Sequence, residues 1–129
     1  MTNLLVIEDE TNIRLLITSN LSARGFIVSE AETGEHGLTL LREVGPAALI
    51  LDIFLPDMTG WDVLERMNQD TNLKEIPVIV LTASVSAELD QSSKYPNVVE
   101  HLTKPTGIGP LMDAVRKALN GRNASTERF

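Results

Sequence analysis

The sequence predicts an α/β fold, a parallel sheet of five strands with crossover helices packed against it. Two observations predict it. Short apolar runs alternate with helix-period segments from one end of the chain to the other. The composition is the second: 129 residues, 43% hydrophobic but only 4% aromatic, suit one domain with an aliphatic core of Leu, Ile, Val and Ala. A chain of this size buries roughly two-thirds of the surface it exposes when unfolded. We expect the domain to occupy residues 1–120, with 121–129 a flexible tail or the start of a linker, because that end carries no buried period.

The first strand is Leu4-Leu5-Val6-Ile7. Thr11 or Asn12 then caps a helix whose apolar stripe is Ile13, Leu16, Ile17 and Leu21, and Gly25 supplies its left-handed stop. Phe26-Ile27-Val28 forms the second strand. Thr33-Gly34 opens a helix carrying Leu38, Leu41 and Val44, closed by Gly45-Pro46. The third strand, Ala47-Ala48-Leu49-Ile50-Leu51, is an unbroken apolar run ending at Asp52. A proline- and glycine-marked loop follows, then a helix presenting Trp61, Leu64 and Met67 at spacings of three. Residues 71–75 read as a polar turn. Pro77-Val78-Ile79-Val80-Leu81 runs into Thr82, and residues 84–94 predict a weakly anchored helix with only Val85 and Leu89 as large apolar residues. The fifth strand is Val98-Val99-Glu100-His101-Leu102-Thr103. Pro110 suits the first turn of a last helix with Leu111, Val115, Ala118 and Leu119 facing inward.

Acidic charge dominates, with 18 Asp and Glu against 11 Lys and Arg and a net charge of -7. Such a surface repels phosphodiesters and anionic lipid, so protein or cation partners are expected and direct nucleic-acid or membrane contacts are not. There is no cysteine, which excludes disulfides, thiolate metal sites and thiol catalysis. No apolar run approaches the roughly 18 residues of a membrane span, and the N-terminus carries no leader pattern, so a cytoplasmic protein is expected.

Four strands release polar groups at what would be one edge of the sheet: Glu8 and Asp9, then Asp52, Thr82 and Lys104. Taken singly, each has an ordinary explanation as a cap, a turn residue or a solvated charge. Together they describe a pocket, because ligands of open α/β sheets bind outside the carboxyl ends of the strands. Two carboxylates about 4 Å apart repel by about 4 kcal/mol at an effective dielectric near 20, so three acids crowded there demand a cation. Oxygen ligands without His or Cys point to Mg2+ or Mn2+, completed by phosphate oxygens.

These residues are where the chain resembles the receiver domain of two-component response regulators, of the single-domain, CheY-like kind. The match rests on Glu8-Asp9, on Asp52 with the loop Ile53-Phe54-Leu55-Pro56-Asp57-Met58-Thr59-Gly60 behind it, on Thr82-Ala83 and on Lys104-Pro105, and covers about residues 3–120. The resemblance implies a doubly wound (βα)5 fold with the flavodoxin-like strand order. It implies phosphorelay signalling: a histidine kinase or histidine phosphotransfer protein donates, Asp52 accepts the phosphoryl group, and the domain promotes its own phosphorylation and dephosphorylation without being an enzyme in the ordinary sense. Asp9 and Asp52 would bind the metal directly, Glu8 mostly through metal-bound water, and the Phe54 backbone carbonyl would add a ligand. Lys104 and Thr82 would contact phosphoryl oxygens, and Lys104-Pro105 resembles the family's cis-proline. A downstream protein would bind the face made by the fourth helix, fifth strand and fifth helix, the domain itself being a monomer or weak dimer.

Departures from the pattern mark where this chain differs. Glu8 stands where aspartate is commoner. His101 occupies the family's aromatic switch position, three residues before Lys104, and is either an inert edge-strand residue or a switch whose charge changes near neutral pH. Phe54 and Ser84 stand where the family tunes the phosphoryl lifetime. His36 reads as surface. Three other classes compete: a phosphorylation-independent receiver-like scaffold, which has no need of all four polar groups; a haloacid dehalogenase-type phosphatase, which would need an aspartate where Phe54 stands; and a flavin carrier, whose phosphate Glu8-Asp9-Glu10 would repel.

Overall fold

Five strands pair in the order β2-β1-β3-β4-β5, every pair parallel. They are β1 (Asn3–Ile7), β2 (Ile27–Ala31), β3 (Ala48–Asp52), β4 (Val78–Thr82) and β5 (Val98–Thr103), alternating with helices α1 (Thr11–Ala23), α2 (Gly34–Val44), α3 (Gly60–Asn68) and α4 (Ile108–Glu127). This is the doubly wound, flavodoxin-like order, which reverses direction between β1 and β3 and so opens a crevice at their carboxyl ends. The computed structural model describes residues 2–83 and 90–127, with side chains through residue 120. Much of the helix expected over 84–94 lies outside the described residues. Its last part, Ser92–Lys94, is a single 3-10 turn.

Pleating splits the apolar runs between two cores. Leu5, Ile7, Leu49, Leu51, Val78 and Val80 face one side with Leu38 and Leu41 of α2 and Val63, Leu64 and Met67 of α3. Leu4, Val6, Ile50, Ile79 and Leu81 face the other, with Ile17 and Leu21 of α1 and Leu111, Val115 and Ala118 of α4. Each such side chain contributes roughly 1.5–3 kcal/mol on burial, against about 1 kcal/mol for a good helix cap, so sheet packing governs the placement of the strand ends. β3 and β4 are buried at every residue, whereas β2 and β5 are the half-exposed edges.

Local signals explain the helix ends. The Thr33 hydroxyl accepts the His36 N–H, and α2 stops at Gly45 with φ 57°, where a side chain would be strained. Thr59 and Asp62 exchange hydrogen bonds in a capping box that starts α3.

Several expectations need correction. The residue at the N-cap of α1 is Glu10, without a side-chain cap, so neither Thr11 nor Asn12 plays that part. Leu16 is 56% exposed; Arg14 and Thr18 are buried in the position the stripe assigned to it. The second strand begins at Ile27 and continues to Ala31, beyond its apolar letters, because β1 supplies a pairing edge along all five residues. α4 runs on through residues 121–127 to Glu127, since extending an existing helix needs no new nucleus. Among the described residues, no helix is long and apolar enough to cross a membrane.

Candidate functional site

β1 and β3 lie side by side, with Ile7 opposite Leu51. Their next residues, Glu8 and Asp52, therefore emerge at the same rim. Both are almost fully buried, while Asp9 points outward, and the three acids offer carboxylate oxygens within 4.8 Å of one another. Such an all-oxygen set suits a hard divalent cation that keeps part of its water shell.

β4 and β5 bring the other groups. Lys104 follows β5 directly, and its backbone N–H donates to the Thr82 carbonyl at 2.7 Å. That bond turns the chain at the cis Lys104-Pro105 peptide, and the ammonium lies 3.3 Å from Asp52 Oδ2 and in an ion pair with Glu8 Oε1. Thr82 is 1% exposed, and among the described residues its hydroxyl has no hydrogen-bond partner. An unsatisfied buried hydroxyl costs about 1–3 kcal/mol, so this oxygen is poised to meet an incoming acceptor.

Electrostatics reflect the crowding. Burial pushes the Glu8 carboxyl up to about 7, with Asp52 adding to the rise, against the opposing pull of Lys104 and the Glu10 N–H. Lys104 is raised above its ordinary value: burial acts to lower it, but the carboxylates of Glu8 and Asp52 prevail. One ammonium thus neutralises part of an acid cluster whose remaining charge favours a second cation.

The loop behind Asp52 is held by fixed contacts. The Phe54 N–H donates to Asp52 Oδ1 at 3.2 Å, which orients the carboxylate and leaves the Phe54 ring 56% exposed. Gly60 returns the chain against the strand, its N–H 2.7 Å from the Ile53 carbonyl. A Cβ there would sit 2.8 Å from the Asp52 carbonyl oxygen and 2.9 Å from Ile53 Cα, so only glycine fits. Asp57 ties the loop's far end to α2 by accepting the Gly34 and Glu35 N–H groups at 2.8 and 3.0 Å. Those donors hold its carboxyl below the ordinary value, against the desolvation that acts to raise it.

Glu8, Asp9 and Asp52 thus come together with Lys104 at one rim, and Thr82, whose carbonyl accepts the Lys104 N–H, ends the neighbouring strand. His101 stands apart from it. Half-buried on β5, its Nδ1 lies 3.3 Å from Asp90 Oδ2 and 3.4 Å from the Ser92 hydroxyl. His36 is exposed on α2, as read from the sequence. Ser84 lies outside the described residues. One supporting residue, Arg14, escaped the sequence reading, although it shares the spacing of Ile17 and Leu21 on one helix face. Asp57 and Gly60 were read as parts of the loop behind Asp52, but not their contacts, which for Asp57 lie more than 20 residues away.

Paired acids and an ammonium thus meet at the carboxyl edge of a 2-1-3-4-5 sheet, the edge at which doubly wound α/β domains bind ligands. A family model, the response regulator receiver domain, matches residues 4–116, and the chain belongs to that family. Among its relatives, the KDP operon transcriptional regulatory protein KdpE of Escherichia coli is 38% identical over 127 residues, an alignment covering 98% of this chain and 55% of KdpE. Sporulation initiation phosphotransferase F of Bacillus subtilis is 31% identical over 117 residues, covering 90% of this chain and 92% of that protein. The chain thus spans about half the length of KdpE but nearly all of the second relative.

Solved structures agree. The response regulator protein TrrA of Thermotoga maritima, crystallised in complex with Mg2+-BeF, has a TM-score of 0.81 at 31% identity, covering 92% of this chain and all of that one. A CheY-like receiver domain from Methanospirillum hungatei reaches 0.89 at 23% identity, covering 97% and 98%, which speaks for the fold.

Proposed function

We propose that this chain is a phosphoacceptor switch: Asp52 takes a phosphoryl group from a phosphohistidine on a kinase or phosphotransfer protein, and the modified domain changes its affinity for a downstream protein. The observation that carries the reading is the convergence on Asp52. Its Oδ2 lies 3.3 Å from the Lys104 ammonium, Glu8 and Asp9 stand beside it, and among the described residues the Thr82 hydroxyl is unpartnered.

In this mechanism an Asp52 oxygen attacks phosphorus in line with the breaking N–P bond; the imidazole leaves, and an acyl phosphate forms. The Phe54 N–H on Oδ1 leaves the other oxygen to react. Lys104 neutralises one equatorial oxygen and Thr82 donates its hydroxyl to another, which suits a transition state that needs positioning more than proton transfer. Glu8, Asp9, Asp52 and the Phe54 carbonyl would hold Mg2+ or Mn2+, which when bound neutralises charge shared by the acids and the phosphoryl oxygens. Output would pass through the face that includes β5 and α4, and a cytoplasmic site of action belongs to the same reading.

The test is incubation with a small phosphodonor and Mg2+, followed by intact mass and peptide mapping. One phosphoryl group on Asp52, absent from Asp52→Asn, is the expected result; uptake by the Asn variant equal to the parent's would refute the assignment. Phe54 also bears on lifetime, because an exposed ring offers no hydrogen bond to align a hydrolytic water, and Ser84 would compensate only in part. Phe54→Asn is therefore expected to shorten the lifetime of the phosphorylated form. Phosphate release followed in Mg2+ would contradict this by showing equal or slower decay.

A further inference from the structure

Arg14 is the one buried cation on α1, and its side chain is only 8% exposed. Burying a guanidinium costs several kcal/mol unless its N–H groups are met. Here Nε donates to Glu30 Oε1 at 3.1 Å and Nη2 to Glu32 Oε1 at 2.9 Å. Those two carboxylates are 41% and 65% exposed, so a surface arginine could pair with them without entering the core. What the burial adds is the third bond, from Nη1 to the main-chain carbonyl of Glu8 at 2.9 Å.

That carbonyl belongs to the peptide joining Glu8 to Asp9. On its strand side, the Glu8 N–H donates to the Ala31 carbonyl at 3.0 Å. On its helix side, the Glu10 N–H donates to Glu8 Oε2 at 3.1 Å. Arg14 supplies the remaining restraint and fixes the plane of the Glu8-Asp9 peptide. Asp9 is exposed, and among the described residues no hydrogen bond holds its side chain, so its direction follows from this backbone. Glu30 and Glu32 meanwhile hold the guanidinium toward β2 and away from the acids.

We propose that Arg14 is a positioning residue for the divalent-ion site: its grip on the Glu8 carbonyl presets the Glu8-Asp9 turn before a cation binds. The inference rests on the reading that Glu8, Asp9 and Asp52 hold that cation. Positioning and charge make opposite predictions. Removing a positive charge near three acids, with nothing else changed, strengthens attraction for a cation and tightens its binding. Loss of an outer partner that orients ligands weakens it, by about tenfold or more in known metal sites.

The experiment is calorimetric titration of the full chain with Mg2+ alone, on parent, Arg14→Met and Arg14→Lys, each first shown by urea melting to unfold cooperatively. Arg14→Met is expected to bind Mg2+ about tenfold more weakly. Arg14→Lys keeps the charge but not the fork, and is expected to fall between. Parental or tighter binding by Arg14→Met overturns the proposal; should that variant fail to fold, parental affinity in Arg14→Lys overturns it. A parent that binds no Mg2+ overturns the site reading itself, whereas a parent that binds beside an unaffected variant overturns only the role of Arg14.

Discussion

On the acid side of the pocket, β1 and β3 are central strands with no exposed residue in their last four positions, and Glu8 and Asp52 are nearly as buried as the leucines beneath them. On the side of the hydroxyl and ammonium, β5 is an edge strand with no fully buried residue, its pairing with β4 is irregular, and among the described residues the Thr82 hydroxyl has no partner. The acids are therefore held by core packing, by Arg14 and by the Gly60 return, and Thr82 by the buried strand β4, whereas Lys104 follows the half-exposed edge strand β5. Elements with few buried contacts open and shift most easily. On the proposed function, a phosphoryl group held between the two sides would draw Lys104 and β5 toward the acids.

The largest test of this contrast is the charge on Glu8. Its carboxyl ionises near 7 in the fold and near 4.5 when unfolded. Because the folded value is the higher one, the favourable contribution is complete below about 4.5 and is lost as pH rises through about 7. A shift of that size corresponds to about 3 kcal/mol. Without divalent ions, the stability of the parent is expected to fall by about that amount relative to Glu8→Gln between pH 4.5 and 8, measured by urea melting. A parent whose pH profile parallels that of the Gln variant would show that the acid side is not crowded.

Breaking the rigid side mechanically should have the next effect. In Gly60→Ala the new methyl meets backbone atoms that cannot rotate away, and overpacking of that kind costs about 2 kcal/mol. Phosphodonor uptake should fall with it, because the Asp52 carbonyl is one of the atoms displaced. Unchanged melting and uptake would mean that the loop gives way more easily than its contacts suggest. At the end of β4, Thr82→Val removes the hydroxyl while keeping its shape. It is expected to stabilise the unphosphorylated protein by about 1 kcal/mol, to leave Asp52 reactive, and to blunt the change in partner binding on phosphorylation. A variant less stable than the parent would argue that the hydroxyl already has a partner in solution.

Most of this architecture could be read from residue order. The unbroken apolar runs gave the strands, because β3 and β4 are covered on both faces, and the polar residues after them gave the pocket. Edges and helix surfaces were harder to read. β2 outlasts its apolar letters because hydrogen bonds to β1, not side-chain burial, define it. Leu16 matched the helical period yet lies exposed, since the face of α1 that packs inward is set by how the helix crosses the sheet. Arg14 was missed, and Asp57 was read only as part of its loop, for the same reason: their meaning lies in carbonyl and N–H groups on other elements, which carry no letter of their own.

Val78 pairs with Val98, but Ile79 pairs with Glu100, so Val99 is passed over. An extra residue in a regular strand would turn every later side chain to the opposite face. Here the bulge absorbs it, and Leu102 still packs beside Leu81. The two ends of β5 are fastened separately, at Asn97, which donates to the Ile76 carbonyl and accepts from Asn68, and at Lys104, which donates to Thr82. Between these anchors the strand carries one residue of slack. Chain length along β5 can therefore differ by a residue while the ammonium keeps its place beside Glu8 and Asp52.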